Sequence, residues 1–143
     1  MRPSPTRCAR EPDILSHLFT VAEANKAKDE LRPTVEKIVA NKRLMGELMA
    51  EVAPLHPQAR RDKAVQKRIE EAVRQLEALA NELKQAIVIV EQRGAVMKDL
   101  DVGLLDFPAV RDGQAIYLCW RLGEEDIAFY HGVDEGFSGR RPL

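Results

Sequence analysis

The sequence predicts an α+β protein: a long antiparallel helical hairpin followed by a three-stranded antiparallel β-meander packed on the helices. Residues 19–94 are highly charged, almost free of aromatic residues, and carry apolar side chains at helical spacing. Residues 95–143 hold six of the seven aromatic residues and alternate as strands do between turn signals. We therefore divide the chain into a flexible leader, residues 1–18, and a single α+β domain, residues 19–143.

The composition is that of a soluble globular chain, with 45% hydrophobic residues, 31% charged residues and a net charge of −1. This balance argues against a wholly basic nucleic-acid surface and against a polybasic membrane anchor. No apolar run approaches the roughly 18 residues that a transmembrane helix needs. Cys8 in the leader and Cys119 in a predicted strand do not resemble a disulfide pair, which favours a reducing compartment. We expect a cytoplasmic protein with no membrane segment.

The first helix is predicted to begin after Thr20 and to run to about Val52. Thr20 followed three residues later by Glu23 is the capping-box pattern. Pro33 lies inside the helical pattern without a backbone donor, so we expect a kink, or a short helix that ends before a longer one begins. Apolar residues recur along this segment at Leu31, Val35, Ile38, Met45, Met49 and Val52.

The second helix has a cleaner pattern, with Asp62 as its predicted cap and Gly94 as its predicted stop. The steps alternate between four and three residues along Val65, Ile69, Ala72, Leu76, Leu79, Leu83, Ala86 and Val90. This spacing is typical of a helix packed along a seam, and the short connection makes the pair an antiparallel hairpin. Two helices alone cannot cover such stripes, so the cover must come from the β module, from a second copy or from both. A homodimer built on four helices would supply it, and we expect a homodimer.

The predicted meander depends on two turns. Asp112-Gly113 between strand-like residues is the strongest short hairpin signal, and Gly123–Asp126 separates the second and third strands. The first turn places Asp106 opposite Cys119, and hence Phe107 opposite Leu118.

For the second turn the expected register places Trp120 opposite Phe129 and Cys119 opposite Tyr130. A one-residue slip in either turn would exchange the faces of that strand. The predicted core face collects Leu105, Phe107, Ile116, Leu118, Trp120, Leu122, Ile127, Phe129 and His131. The predicted polar face collects Asp106, Tyr117, Cys119, Arg121 and Tyr130.

Candidate ligand-binding residues in the β module are Asp101, Asp106, Cys119, Arg121, Tyr130, His131 and Arg140. A carboxylate beside a guanidinium could bind a polar ligand, and a thiol beside Arg121 could have a lowered pKa and act as a nucleophile. The predicted register puts no histidine on this face to act as a base. The simpler alternative is a solvated face with a cross-strand ion pair.

A metal site could use Asp106, His131 and Asp134, although the spacing fits no familiar ligand motif, and a packed histidine is the alternative. No phosphate-binding glycine loop, nucleophile elbow or zinc motif is present, so no cofactor is implied by a motif.

Basic residues gather at the tip of the helical hairpin, where a polyanion such as RNA could bind. The group consists of Arg60, Arg61, Lys63, Lys67 and Arg68. It lacks aromatic residues for base stacking, and a merely solubilising surface is the alternative.

Five phrases of the chain, residues 19–25, 31–33, 96–108, 117–124 and 131–143, resemble an uncharacterised prokaryotic family, domain of unknown function 2203. The resemblance extends from residue 19 to the end. Tyr130 departs from it where tryptophan is expected, and Arg141 where glutamine often stands. The resemblance implies a self-contained prokaryotic cytoplasmic protein and brings no established activity or functional residues.

Three hypotheses for function follow. The leading one is a non-catalytic interaction or assembly module that homodimerises through its helices and could take a further protein partner. The second is a small-molecule- or metal-dependent enzyme with its site in the β module. The third is an RNA- or ribosome-associated factor that uses the basic tip.

Overall fold

Two long helices are followed by a five-stranded antiparallel sheet in the computed structural model, which describes residues 18–143. The predicted leader therefore lies, apart from Leu18, outside the described residues. The helices are α1, Val21–Val52, and α2, Lys63–Gln92, with a short 3-10 segment, Ala53–Gln58, between them. The strands are β1, Val96–Asp99; β2, Leu104–Arg111; β3, Gln114–Arg121; β4, Phe129–Gly132; and β5, Arg141–Pro142.

Helix α1 begins with the predicted capping box. The Thr20 hydroxyl accepts a hydrogen bond from the Glu23 amide at 3.1 Å, and the Glu23 carboxylate accepts one from the Thr20 amide at 2.9 Å. The expectation that the helix could end near Pro33 is wrong, because α1 is continuous through that residue. Pro33 lies on the exposed side, where water can satisfy the carbonyl that has lost its partner.

Helix α2 also follows its sequence signals. The Asp62 carboxylate accepts hydrogen bonds from the amides of Ala64 and Val65, and Gly94 follows the helix with a φ of 101°. This left-handed conformation suits glycine and ends the helix. The two helices pack against each other along their seam as the predicted hairpin. Neither is long and apolar enough to cross a bilayer, within residues 18–143.

The sheet contains two more strands than the three predicted. Its order is β1-β2-β3-β4-β5, each strand antiparallel to the next, with short strands at both edges. The predicted Asp112-Gly113 turn is confirmed, because both residues have positive φ and β2 pairs with β3 in the expected register. Asp106 therefore lies opposite Cys119, as expected.

The predicted register between β3 and β4 is wrong by one residue. Phe129 lies opposite Cys119 instead of Trp120, and Tyr130 lies opposite Leu118. The connection is longer than a tight turn, because the Trp120 indole donates to the carbonyls of Glu124 and Glu125 at 3.0 and 3.2 Å.

Further along that connection, the buried Ile127 donates its amide to Asn25 of α1 at 2.8 Å, so strand pairing resumes only at Phe129. The slip moves His131 onto the face of Asp106 and Cys119, where it pairs with Tyr117. Tyr130 moves in the opposite direction, to the face that packs on the helices.

The core lies between one face of the sheet and the half of the hairpin that contains the start of α1 and the end of α2. Phe107, Leu118 and Trp120 of the sheet belong to the same buried cluster as Val35 of α1 and Val90 of α2. Trp120 is fully buried, as predicted. The opposite sheet face carries Asp106, Cys119 and His131. The other half of the hairpin, next to the 3-10 segment, extends beyond the buried cluster.

Candidate functional site

The outer face of the sheet holds three buried side chains with metal-ligand chemistry. Asp106 comes from β2, Cys119 from β3 and His131 from β4, so three adjacent strands supply one residue each. One ligand atom from each residue lies within 4.8 Å of the others. All three side chains are between 0 and 2% exposed. We call this group the Asp-Cys-His cluster.

The hydrogen bonds of His131 define which nitrogen can act as a ligand. Nδ1 lies 2.9 Å from the carbonyl oxygen of Gly132, which can only accept, so Nδ1 carries a proton. Nε2 lies 3.0 Å from both carboxylate oxygens of Asp106. A proton must lie between Nε2 and the Asp106 carboxylate, because otherwise the lone pairs of the nitrogen and of the oxygens would face each other. The ring is thus held with Nε2 directed at the cluster.

Asp106 is the most constrained member of the cluster. Burial raises the pKa of its carboxyl group, and the contacts with His131, Lys98 and the Cys119 thiol offset that rise only in part. Lys98 Nζ of β1 lies 3.8 Å from Oδ2 of Asp106. The same ammonium lies 4.8 Å from the centre of the Tyr117 ring, so a cation borders the cluster on its β1 side.

Cys119 is not an activated nucleophile in this setting. Burial and the adjacent Asp106 carboxylate raise the pKa of its thiol to about 12. The positive charge of Arg140 works in the opposite direction without reversing the shift. The expectation that Arg121 gives the thiol a lowered pKa is therefore wrong, because the thiol pKa is raised overall and the thiol stays neutral.

The C-terminal segment contributes a cover to this face. The Arg140 guanidinium lies 4.1 Å from the ring centre of Phe129 and 4.5 Å from that of Phe137, and it donates to Glu124 at 2.9 Å. Its Nε is buried and has no hydrogen-bond partner among the described residues. Nη2 of Arg141 donates to both carboxylate oxygens of Glu135, and Oε1 of Glu135 also accepts from the Gly132 amide. The strand that carries His131 is thus tied to the tail.

The other residues predicted for the site lie elsewhere. Asp101 is exposed and pairs with Lys42 of α1 at 3.0 Å. Asp134 is exposed and does not belong to the cluster, although the sequence offered it as a metal ligand. Arg121 is exposed and lies 5.9 Å from the centre of the Phe137 ring.

Tyr130 packs partly against the core rather than on the polar face. Lys98 was missed because β1 is a short edge strand whose four residues carry no alternation signal strong enough to predict it.

At the tip of the hairpin, the predicted basic residues are arranged around the start of α2. Arg60, Arg61, Lys63 and Lys67 are exposed, whereas Arg68 pairs with Glu51 of α1 at 2.7 Å. The acid in this group, Asp62, is occupied in capping the helix.

The chemistry of the Asp-Cys-His cluster fits a divalent transition-metal ion. A thiolate and a carboxylate would balance the charge of the ion, and neutral imidazole is a common third ligand. The Nδ1 contact with the Gly132 carbonyl is the outer contact that typically orients a ligating histidine.

Comparison with known proteins identifies the family. A family model described as "Uncharacterized conserved protein (DUF2203)" matches residues 17–143. Neither the curated proteins nor the solved structures include a significant match. Because the family model covers most of the sequence, the chain belongs to the DUF2203 family of uncharacterised conserved proteins.

Proposed function

We propose that the protein binds a divalent transition-metal ion of the zinc class through Asp106, Cys119 and His131. The observation that carries this proposal is the approach of three chemically different, buried ligand atoms within 4.8 Å of one another. Asp106 and His131 already pair with each other, and a metal ion would replace that contact and bind these two side chains and Cys119 at once.

The type of ion follows from the ligands. Magnesium and calcium prefer oxygen, whereas a thiolate with an imidazole selects zinc, cobalt, nickel or copper. In a tetrahedral site, bond lengths near 2.1 Å for nitrogen and oxygen and 2.3 Å for sulfur put ligand atoms roughly 3.4–3.6 Å apart. The Nε2 to Asp106 distance of 3.0 Å lies slightly below this range. The other distances between ligand atoms are at most 4.8 Å, so the side chains would have to close around the ion.

The ion would tie three adjacent strands of the sheet together. These are β2, β3 and β4, and the three ligands are almost inaccessible to solvent. A fourth ligand would be a water molecule or a small anion. The Arg140 Nε, which has no acceptor within residues 18–143, is a donor available near this face.

The test is to purify the protein without chelator and to measure bound metal by elemental analysis together with native mass spectrometry. We expect one ion per chain. Substitution of cobalt(II) should produce a thiolate-to-cobalt charge-transfer band, because Cys119 supplies sulfur directly to the ion. That band should disappear in Cys119→Ser, which changes the ligand by one atom.

Matched controls come from the same chain. His56 is exposed at the hairpin tip and Asp134 is exposed beyond β4, so His56→Asn and Asp134→Asn should keep the metal. His131→Asn and Asp106→Asn should lose it. Protein that stays metal-free after incubation with zinc, while its circular dichroism shows the native fold, would contradict the proposal. Equal metal content in His131→Asn and His56→Asn would contradict it as well.

This function belongs to the class of metal-binding proteins and makes no claim of catalysis. A thiol ligand has to remain reduced when no metal is bound, so we propose the cytoplasm as the location. The assembly hypothesis remains compatible with it, because the metal would stabilise the sheet and leave the half of the hairpin next to the 3-10 segment free to make contacts.

A further inference from the structure

The connecting end of the hairpin lies far from the sheet. The buried cluster that joins the helices to the sheet extends along α1 only as far as Val39 and includes α2 only from Leu83 onward. At a rise of 1.5 Å per residue, Lys63 at the start of α2 lies about 30 Å from Leu83 along the helix. We call the connecting end, residues 53–69, the tip. The tip therefore protrudes from the part of the hairpin that packs on the sheet.

The backbone of the tip is fixed by local interactions. Pro54 and Pro57 lie in the 3-10 segment, where their rings restrict φ. The Asp62 carboxylate caps α2 by accepting hydrogen bonds from the amides of Ala64 and Val65 at 2.9 and 3.3 Å. The side chains around this point are therefore presented on a defined backbone.

The charge of the tip is strongly one-sided. Residues 53–69 carry five basic side chains and one acidic side chain, whereas residues 70–82 carry four acidic side chains and one basic. The acidic side chain of the tip, Asp62, is used as the helix cap, and Arg68 pairs with Glu51 of α1 at 2.7 Å. The other four basic side chains are exposed and belong to none of the ion pairs formed within residues 18–143: Arg60, Arg61, Lys63 and Lys67.

The position of these charges on α2 is electrostatically unfavourable. The amino end of a helix carries a partial positive charge, which favours acidic side chains in the first turn. The first turn of α2 contains no acidic residue, and Lys63 and Lys67 lie within the first five residues of the helix. Basic and acidic side chains mixed together would keep the tip soluble without concentrating like charges, so solubility alone does not account for this arrangement. An external anion would supply the missing negative charge.

We infer that the tip binds the phosphate backbone of double-stranded RNA through its four unpaired basic side chains. Arginine and lysine side chains bind phosphate oxygens, and their binding releases the counterions that surround a nucleic acid. The four side chains come from eight consecutive residues, 60–67, so they can contact neighbouring phosphates of one duplex together. This inference is independent of the proposed metal site, which lies on the outer face of the sheet.

The composition and width of the tip favour a duplex over a single strand and RNA over DNA. The tip contains no phenylalanine, tyrosine or tryptophan on which the bases of a single strand could stack. Two packed helices are roughly 20 Å across, which is wider than the DNA major groove of about 12 Å. The minor groove of an RNA duplex is wide and shallow, so a blunt surface can contact the phosphates along it without entering.

Binding of this kind should be electrostatic and independent of base sequence. Four phosphate contacts in a duplex correspond to a slope of about −3.6 when the logarithm of the association constant is plotted against the logarithm of the salt concentration. The affinity should therefore fall on the order of 100-fold between about 50 and 200 mM salt. Fluorescence anisotropy of a labelled RNA duplex of about 20 base pairs measures the affinity and the slope.

Two variants of equal charge separate the tip from the overall charge of the protein. In Arg60→Glu/Arg61→Glu and in the control Arg74→Glu/Lys84→Glu, each reversal of an exposed side chain changes the net charge by two units. The tip variant should weaken binding at least about 50-fold at about 100 mM salt and reduce the slope by about 2. The control should stay within about threefold of the wild type, because its residues lie about 10 Å or more from Lys67 along the helix, where salt screens their charges.

Circular dichroism confirms that both variants keep the wild-type helical content. Wild-type protein that does not bind the RNA duplex at tens of micromolar in about 50 mM salt would overturn the inference. Equal weakening in the tip variant and in the control would overturn it too, because overall charge would then explain the binding. A DNA duplex of the same sequence that binds as tightly would refute the assignment to RNA. Polyglutamate that competes as well as the RNA would show instead a surface for acidic proteins.

Discussion

Removing one partner of the buried Asp106–His131 pair should be far more costly than removing both. In His131→Ala the Asp106 carboxyl, 1% exposed, loses the contacts of 3.0 Å that Nε2 makes with both its oxygens. The nearest remaining cation is Lys98 at 3.8 Å. Breaking a buried pair in this way costs about 3–5 kcal/mol. For a chain of this length the midpoint of thermal unfolding should fall by roughly 10–15 °C.

The apolar double variant Asp106→Leu/His131→Leu removes both polar groups and restores much of the buried volume. Its free energy of unfolding should be closer to the wild-type value than the free energy of unfolding of His131→Ala or of Asp106→Ala, because no polar group is left unpaired. Urea unfolding in the presence of a chelator separates this effect from metal binding. Trp120, the only tryptophan, is fully buried on the opposite face of the sheet and reports unfolding without contacting the pair.

The pH dependence of the stability of His131→Ala provides a second test. Burial raises the pKa of Asp106 in the folded protein, so the folded state holds its proton more tightly than the unfolded state does. The cost in His131→Ala should therefore be fully present above the folded pKa and should diminish as the pH falls towards the unfolded value. Single variants that cost less than about 1 kcal/mol, or whose effects simply add, would refute the reasoning.

Three further predictions concern other parts of the fold. Because the Cys119 thiol has a pKa of about 12, native Cys8→Ser protein at pH 8 should react with iodoacetamide only as fast as it unfolds, and labelling at the rate of a free thiol would show that the site is open. Gly103→Ala should cost about 2–4 kcal/mol in urea unfolding, because φ is +74° and the new Cβ would lie 2.9 Å from two side-chain carbons. Gly113→Ala, with φ of +77° in open space, should cost only about 1 kcal/mol, and equal costs would rule out the steric explanation. Burial acts to raise the pKa of Glu124, but the hydrogen bonds and charge supplied by arginine side chains and a backbone amide lower it overall. The ionised Glu124 side chain should therefore stabilise the fold above the pKa that it has in the unfolded chain, and this stabilisation should be lost as the pH falls through its pKa in the folded protein. The stability of the wild type should consequently fall more steeply between pH 5 and pH 3 than the stability of Glu124→Gln.

The features that could be predicted from the sequence are those whose causes lie within a few residues. Thr20 and Glu23 satisfy each other across one helical turn, and Asp112 and Gly113 adopt the positive φ values that their hairpin requires. The edge strands had no comparable signal. β5 is two residues long and is defined by its pairing with β4, which is a tertiary contact.

The sequence did not predict the Asp-Cys-His cluster because the turn between β3 and β4 was assigned the wrong register. Asp106 and Cys119 were placed correctly opposite each other, because a two-residue turn fixes their register. The expected register assigned His131 to the core face and so left the polar face without the imidazole that completes the cluster. A strand has a side-chain period of two residues, so a slip of one residue was enough to exchange it with Tyr130.

The cause of that slip lies outside the strands. The loop after β3 closes over the Trp120 indole, and its Ile127 amide bonds to Asn25, which is 102 residues away in the sequence. Neither contact can be inferred from the turn residues, since both depend on where α1 packs. The helical hairpin therefore does more than support the sheet. By fixing the loop, it determines the register of β4 and brings the imidazole of His131 to the carboxylate and thiol that the first hairpin had already aligned.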